Sequence, residues 1–343
     1  MARGRGATAA GGGAVVKLLT IGGTRFFGRA FVDEAARRGH EVTVFHRGRS
    51  EPDEVNGIEH VHGDRHKDLD RLRGRTWDAT LDTCAFVPRD VRALVDAVGD
   101  RVGHYTFVSS LSVHPEDLPV GATEETATLP PPSTDTEEVT DETYGPLKVA
   151  TEREAAEAFP GGVLVIRPGY IVGPNDPTDR FTFWVRRAAA GGEMLAPGPP
   201  EAPVQGIDAR DLGAFVLDRI EAGDTDTYGV VGPGEPATMA DVLSAARAAG
   251  EADTRFTWVD PPFLAAIGGE RETWLPIWHP DLPGFHAYDA SKATAAGLRP
   301  RPFADTVADT LAWDHDRGSP PLKVGLPPVE ERRLLEEWHA RGR

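Results

Sequence analysis

The sequence predicts an α/β fold: a doubly wound parallel sheet with a smaller C-terminal lobe. Three observations lead there. Residues 15–39, VVKLLTIGGTRFFGRAFVDEAARRG, read as strand, glycine-rich turn and helix. Behind them, short runs rich in Val, Ile, Leu and Phe alternate with amphipathic stretches through six strands. The chain of 343 residues is long enough to bury a core in two lobes.

The first strand, Val15–Ile21, is of buried type. Gly22, Gly23, Thr24, Arg25, Phe26, Phe27 and Gly28 follow, and a helix runs from about Phe26 to Gly39, a C′ glycine. Glycine lets backbone approach a pyrophosphate, and the N–H groups of a helix start favour its charge. A G-x-x-G-x-x-G spacing would put glycine at 22, 25 and 28, and position 25 is arginine. Glu41–His46 is the second strand. The residue closing it meets the adenosine ribose in a dinucleotide fold, and no acid stands there to hold the 2′-hydroxyl of NAD. Arg47 and Arg49, with Arg25 in the glycine turn, favour the 2′-phosphate of NADP, with NAD as the alternative. As plain loop charges, Arg47 and Arg49 need no ligand.

Ile58–Gly63 is the third strand. Asp64 after it suits the adenine amino group and equally suits capping a turn. Asp78–Thr83 is the fourth strand, and the small Thr83, Cys84 and Ala85 leave room for a cofactor to pass. Cys84 has no basic neighbour in sequence and reads as a filler, not a nucleophile. A helix over Pro88–Val98 and a fifth strand over Tyr105–Ser110 follow. His114–Thr143 then carries nine Asp and Glu with no Lys or Arg, and is read as a long mobile loop, either a lid or a solvated insertion. The next helix holds Pro146 in its first turn and places Tyr144 and Lys148, four apart, on one face.

Val163–Arg167 is the sixth strand. Helices are predicted over Phe181–Ala190, Ala240–Ala249, Asp289–Gly297, Phe303–Trp313 and Val329–Ala340. Val204–Ile220 reads as a short strand and a helix capped by Asp208 or Asp211, and Tyr228–Val231 as a strand. Trp258–His286, rich in Pro and Trp, yields no assignment. The domain reading is a disordered tail over 1–13, a cofactor lobe over 14–174, and a mainly substrate-binding lobe over 175–327. Within the last, 204–231 returns to the first lobe, and a terminal helix spans 328–343.

Composition bounds the partners. A net charge of −17 disfavours nucleic acid and anionic membrane, and the single cysteine excludes an internal disulfide and suits a reducing cytoplasm. No run reaches the roughly 18 apolar residues of a membrane span, and residues 1–13 lack the apolar stretch of a secretory signal. No set of metal-ligating residues stands out. The partner expected is a small molecule.

Eight segments, in order, resemble the extended and atypical short-chain dehydrogenase/reductases, the NAD(P)-dependent epimerase/dehydratase superfamily. They are IGGTRFFGR (21–29), FHRGR (45–49), HGD (62–64), DTCAF (82–86), FVSSLSV (107–113), YGPLK (144–148), IRPGYIVGP (166–174) and GIDARDLGAF (206–215). The resemblance covers about 15–315 and implies a Rossmann-type sheet. The GGTRFFG form is similar to an atypical branch that includes bacterial reductases and plant chloroplast stem-loop RNA-binding proteins. The resemblance implies Tyr144 as acid/base, Lys148 as the charge that favours phenolate and holds the nicotinamide ribose, and Ser110, in preference to Ser109 or Ser112, as the hydrogen-bond partner of the substrate oxygen. It also adds Pro168, at the end of the sixth strand, to the cofactor residues.

Three functions share these residues: a carbonyl reductase or alcohol dehydrogenase, an epimerase of a (nucleotide-)sugar, and a non-catalytic NADP sensor or RNA-binding protein. Leu111 and Ser112 stand where the family's dehydratases carry an Asp-Glu pair, which disfavours dehydration. Arg180, Arg186, Arg187, Arg271, Arg299 and Arg301 are the candidates for a nucleotide diphosphate. Trp274, Trp278 and His279 either line a pocket or pack the second lobe's core. A homodimer would pair helices 88–98 and 144–158.

Overall fold

The computed structural model describes residues 14–49, 58–267 and 271–341. The expected tail over 1–13 lies outside them. Lys17–Ile21 (β1), Glu41–His46 (β2) and Ile58–His62 (β3) lie side by side, with Phe26–Arg37 (α1) between the first two. Ala79–Asp82 (β4), Pro88–Val98 (α2), His104–Val108 (β5), Asp141–Ala158 (α3) and Val163–Pro168 (β6) follow. The sheet's seventh strand, Thr227–Val230, pairs parallel with β6 from much further along the chain. Counting it as β10, the order is β10-β6-β5-β4-β1-β2-β3, parallel throughout. This is the Rossmann-type doubly wound sheet, reversing direction between β1 and β4.

Parallel strands are buried on both faces and so read as continuous apolar runs. On one face, Phe31 of α1 packs with Phe215 and Leu212 of the helix Ala209–Glu221 (α5). On the other, Leu94 of α2 and Ala155 of α3 cover Phe107 and Tyr105 of β5. α1 ends at Gly39 through Gly39 N to Ala36 O and His40 N to Ala35 O, the double bond of a Schellman stop.

The second lobe has its own core. It contains Ile171–Val172 (β7), Arg180–Ala188 (α4), Glu193–Pro197 (β8), Ile207–Asp208 (β9), Met239–Ala249 (α6) and Arg255–Val259 (β11). Pro261–Ala265 (α7), Arg271–Trp274 (α8), Phe303–Asp316 (α10) and Pro328–Arg341 (α11) complete it, while Ser291–Ala295 (α9) returns to the first lobe, where Ala293 packs in the core beside β10. β8 and β11 form a parallel pair, as do β7 and β9. Phe183, Trp184, Leu243, Val307 and Leu334 are among the residues of its apolar centre. Arg186 grips Asp314 of α10 with two bonds of 2.6 Å, and Arg187 holds Glu331 of α11 at 2.8 Å.

Three sequence expectations need correction, and one open alternative is settled. α3 begins at Asp141, capped by Thr140, so Pro146 stands inside the helix and not in its first turn. The capping box of Thr140 and Thr143 starts the helix upstream of the Tyr-Gly-Pro signal. The acidic segment after residue 114 is stapled to the body: Gly121 N donates to Ala287 O, Leu129 N to Val113 O, and Glu124 accepts from Gly229 N. β7, β8 and β11 were not expected, and the strand expected from Val204 shrinks to Ile207–Asp208. Asp208, not Asp211, caps α5, accepting from Arg210 N, while Asp211 holds Arg301.

Candidate active site

The carboxyl ends of β1, β4 and β5 meet at the point where the sheet reverses. β1 ends into Gly22 and Gly23, with φ of +100° and +84°, a backbone that side chains rarely adopt. A Cβ on Gly22 would sit 2.2 Å from Thr83 Oγ1, and one on Gly28 would sit 2.7 Å from Gly23 Cα. Only bare backbone fits between the turn, the exit of β4 and the start of α1. Position 25, arginine where the spacing asks for glycine, is extended at φ −139°. The left-handed residue is instead Phe26, at φ +46°, which costs on the order of 1–3 kcal/mol and is typical of ligand clamps. Arg25 gives α1 no side-chain cap, and the first turn has no acidic residue. Its N–H groups and dipole are therefore left to an anion.

Beyond the second strand, Arg47, Arg49, His62, Gly63, Asp64, Asp68 and Arg71 line a cavity of about 260 Å³. Arg47 and Arg49 are exposed on this basic rim, while Arg25 is not one of its lining residues. Asp64 accepts from His66 N at 2.9 Å, a turn cap, and that bond holds its carboxyl below the usual range. Cys84 lies under Arg65 with its thiol pushed up by burial to about 11, which leaves it inert at neutral pH.

Lys148 and Tyr144 share one face of α3. Lys148 is buried, and its Nζ donates to Val108 O at 2.8 Å and Ala85 O at 2.9 Å. The ends of β4 and β5 thus fix the ammonium, and one of its three N–H donors is left over. It sits 4.8 Å from the ring centres of Phe86 and Phe107 and 5.8 Å from that of Tyr144. Burial pushes the ammonium down to about 8, against the opposing pull of Asp82. Burial likewise pushes the Tyr144 phenol above its ordinary value, opposed by a hydrogen bond with Ser110 and by the charge of Arg180. The expectation was a phenol lowered by Lys148. In this structure desolvation dominates instead, and the phenol is held protonated.

Ser110 follows β5, and its Oγ accepts from Ser112 N and donates to Ser112 Oγ, both at 3.1 Å. Ser109, turned the other way, donates to Glu152, which pairs with Arg167. Alternation along a strand accounts for the split. A Cβ on Gly145 would sit 2.1 Å from Ser112 O, so glycine lets α3 close onto the Ser110–Ser112 turn. Ala85 and Pro168 are buried beside this cleft at the exits of β4 and β6.

Sequence reading missed Asp82 and Arg65. Asp82 is fully buried and takes both guanidinium N–H₂ groups of Arg65, at 2.9 and 3.1 Å, and the Tyr105 hydroxyl at 3.1 Å. Its only sequence signal is a charged residue inside an apolar strand. Tyr170, in the turn after β6, stacks on His286 at 5.3 Å and His279 at 6.0 Å, and Arg180 lies 5.9 Å from its ring centre. Of the arginines expected to meet a diphosphate, Arg186, Arg187, Arg271 and Arg301 are held by carboxylates and Arg299 by backbone carbonyls. Trp278 and His279 line a cavity in the second lobe, and Trp274 packs on its core.

No family profile and no curated protein matches the chain. Solved structures do. A putative epimerase from Burkholderia cenocepacia J2315 superposes with a TM-score of 0.65 at 18% identity, covering 89% of this chain and all of that one (100%). The Bordetella bronchiseptica enzyme WbmG, solved with NAD and UDP, gives 0.68 at 17%, covering 92% and 100%. The UDP-glucose 4-epimerase of Bifidobacterium longum, solved with NAD⁺ and UDP, gives 0.64 at 18%, covering 88% and 98%. Over 88–92% of its length, this chain has the fold of these three structures.

Proposed function

We propose that the protein is an NAD(P)-dependent enzyme of the short-chain dehydrogenase/reductase type that moves a hydride to or from a carbinol or carbonyl carbon of a small molecule. The observation that carries this is the meeting of Ser110, Tyr144 and Lys148 at the sheet's reversal, beside a glycine turn open to an anion. A dinucleotide suits the residues present. The bare backbone of Gly22, Gly23 and Gly28 and the uncapped start of α1 would hold its pyrophosphate, and Arg47 and Arg49 a 2′-phosphate, so NADP is the cofactor proposed.

The bound nicotinamide would supply the hydride donor or acceptor. The protein does the rest. Ser110 holds the substrate oxygen through its hydroxyl. Tyr144, protonated in this structure, gives that oxygen its proton during reduction and takes it back in the reverse direction. Lys148 keeps one N–H for a ribose hydroxyl and places a positive charge beside the phenol. A site for a hydroxyl-bearing carbon needs no metal ligand, and this reading uses none.

The net reaction has two forms. Epimerisation of a sugar nucleotide, with the cofactor returned within each cycle, is favoured by the solved structures of like fold. Simple oxidoreduction is favoured by the arginines, because four of the six named are taken by carboxylates and Arg299 by backbone carbonyls, which leaves Arg180, bonded to Thr178, for a diphosphate. One experiment separates them. Incubation with NADPH and a panel of aldehydes, ketones and UDP-sugars should consume NADPH with the simple substrates if the reaction is oxidoreduction. Incubation with NADP⁺ or NAD⁺, which takes the hydride in the first half of the cycle and returns it in the second, should interconvert UDP-sugars with no net change in cofactor if it is epimerisation. Failure to bind NADPH or NADH at all would remove both.

A further inference from the structure

The second lobe holds a cavity of about 210 Å³, walled by prolines and by Val204, Met239, Ile277 and Trp278. No Asp, Glu, Lys or Arg lines it, and its titratable groups are His279 and His286. His286 Nδ1 accepts from Gln205 N at 3.3 Å and the ring also bonds the backbone at Ile277. Burial first, and then His279, pushes it down to about 4, so it is neutral at physiological pH. Ring contacts lead from the cavity to Arg180, whose charge is felt at the candidate acid/base. His279 and His286 stack on Tyr170, with planes 9° and 21° apart; Tyr170 lies under Arg180; and the charge of Arg180 reaches the Tyr144 phenol.

We propose that this cavity is a substrate subsite for an uncharged, planar aromatic group, carried by the same molecule whose carbinol or carbonyl carbon lies at Tyr144. The inference rests on the redox reading of that tyrosine. Size allows it, since an apolar cavity of about 150 Å³ in another protein takes benzene. Shape favours it, because two of the lining side chains, His279 and His286, are flat rings nearly parallel to the Tyr170 ring on which each stacks, an array that a further ring can extend. Polarity argues against a nucleotide. A pyrimidine base brings carbonyl and N–H groups, for which His279 and His286 are the polar side chains these walls offer, and each group left unmet would cost about 1–3 kcal/mol. A diphosphate would find no cation in these walls.

The test is calorimetric titration of the full chain, in the presence of NADPH, with indole and separately with UDP. Indole is expected to bind saturably at one site. Ala202→Trp and Met239→Phe, which fill the cavity, should each weaken indole roughly ten-fold or more, equivalent to about 1.4 kcal/mol, while NADPH affinity stays unchanged as the check on folding. UDP should give no saturable heat. Indole binding that is absent, or that survives both filling variants, overturns the proposal, as does UDP binding that the variants abolish. Absent NADPH binding would instead strike the redox reading and leave the indole result to be judged by itself. Tyr144→Phe should leave indole binding intact.

Discussion

Tyr144, Lys148 and Ser110 are the residues on which the proposed chemistry turns, and the first two each make a separate prediction. Tyr144→Phe removes the proton donor and little else, so turnover should fall by roughly 10²–10⁴-fold with NADPH affinity preserved; steady-state rates and a cofactor titration measure both. Lys148, pushed down by burial to about 8, loses its charge above that pH. The rate of reduction should decline above about pH 8 in the native protein, and Lys148→Met should lack that limb. Stability gives an independent reading. A lysine in an unfolded chain titrates near ~10.4, so between about 8 and that value the folded protein binds fewer protons. Its stability relative to Lys148→Met should therefore rise with pH across the window, being lowest below it. Thermal melts of both proteins from pH 7 to 10 would show this. The alternation that turned Ser109 to Glu152 and Ser110 to Tyr144 was legible in the sequence. The engagement of Lys148 by two strand-end carbonyls was not, because it depends on how far α3 leans onto β4 and β5.

At the scale of elements, the glycine turn and α1 were legible because local chemistry decides them. Gly22→Ala must place a methyl against Thr83 and force φ +100° on alanine. It should lower both the melting temperature and NADPH affinity, whereas Gly74→Ala, where a Cβ meets nothing, should spare cofactor binding; melts and fluorescence titrations of the two variants would tell them apart. β2 and α2 matched their expected bounds, being bracketed by a turn at Gly39–His40 and by Pro88. β8 and β11 escaped notice because each is a five-residue strand whose only strand partner is the other. Their pairing spans the lobe, and no short window contains it. The start of α3 was misplaced because Thr140 and Thr143 cap it more effectively than Pro146 marks it. The acidic segment looked mobile from charge alone. It is anchored by main-chain bonds to residues 287 and 289 and by the Glu124 carboxylate on Gly229 N, which sequence proximity does not reveal.

At the scale of the molecule, the second lobe is bound together by Asp314, fully buried between Arg186 and Arg317. Burial pushes its carboxyl up, but the hydrogen bonds from the two arginines prevail and hold it below its ordinary value. Its contribution is present above the unfolded value near ~3.9 and is lost as pH falls through the lower folded one. Asp314→Asn, which leaves Arg186 without a carboxylate and Arg317 with Asp179 alone, should cost about 3 kcal/mol at neutral pH, read by denaturant unfolding. The sequence pointed to two lobes but not to this joint, since Arg186 and Asp314 are far apart in the chain. The late seventh strand has a further consequence. Until Thr227–Val230 has been synthesised, the outer edge of β6 presents an unpaired row of backbone donors and acceptors. The nascent chain therefore passes through a sticky interval in which its first half is made but not sealed. Residues 14–174 expressed alone should self-associate, and size-exclusion chromatography would reveal it. For this protein the two lobes are interleaved in sequence, because the chain runs out through β7, α4 and β8 before it returns to close the first half, and completes the second lobe only afterwards.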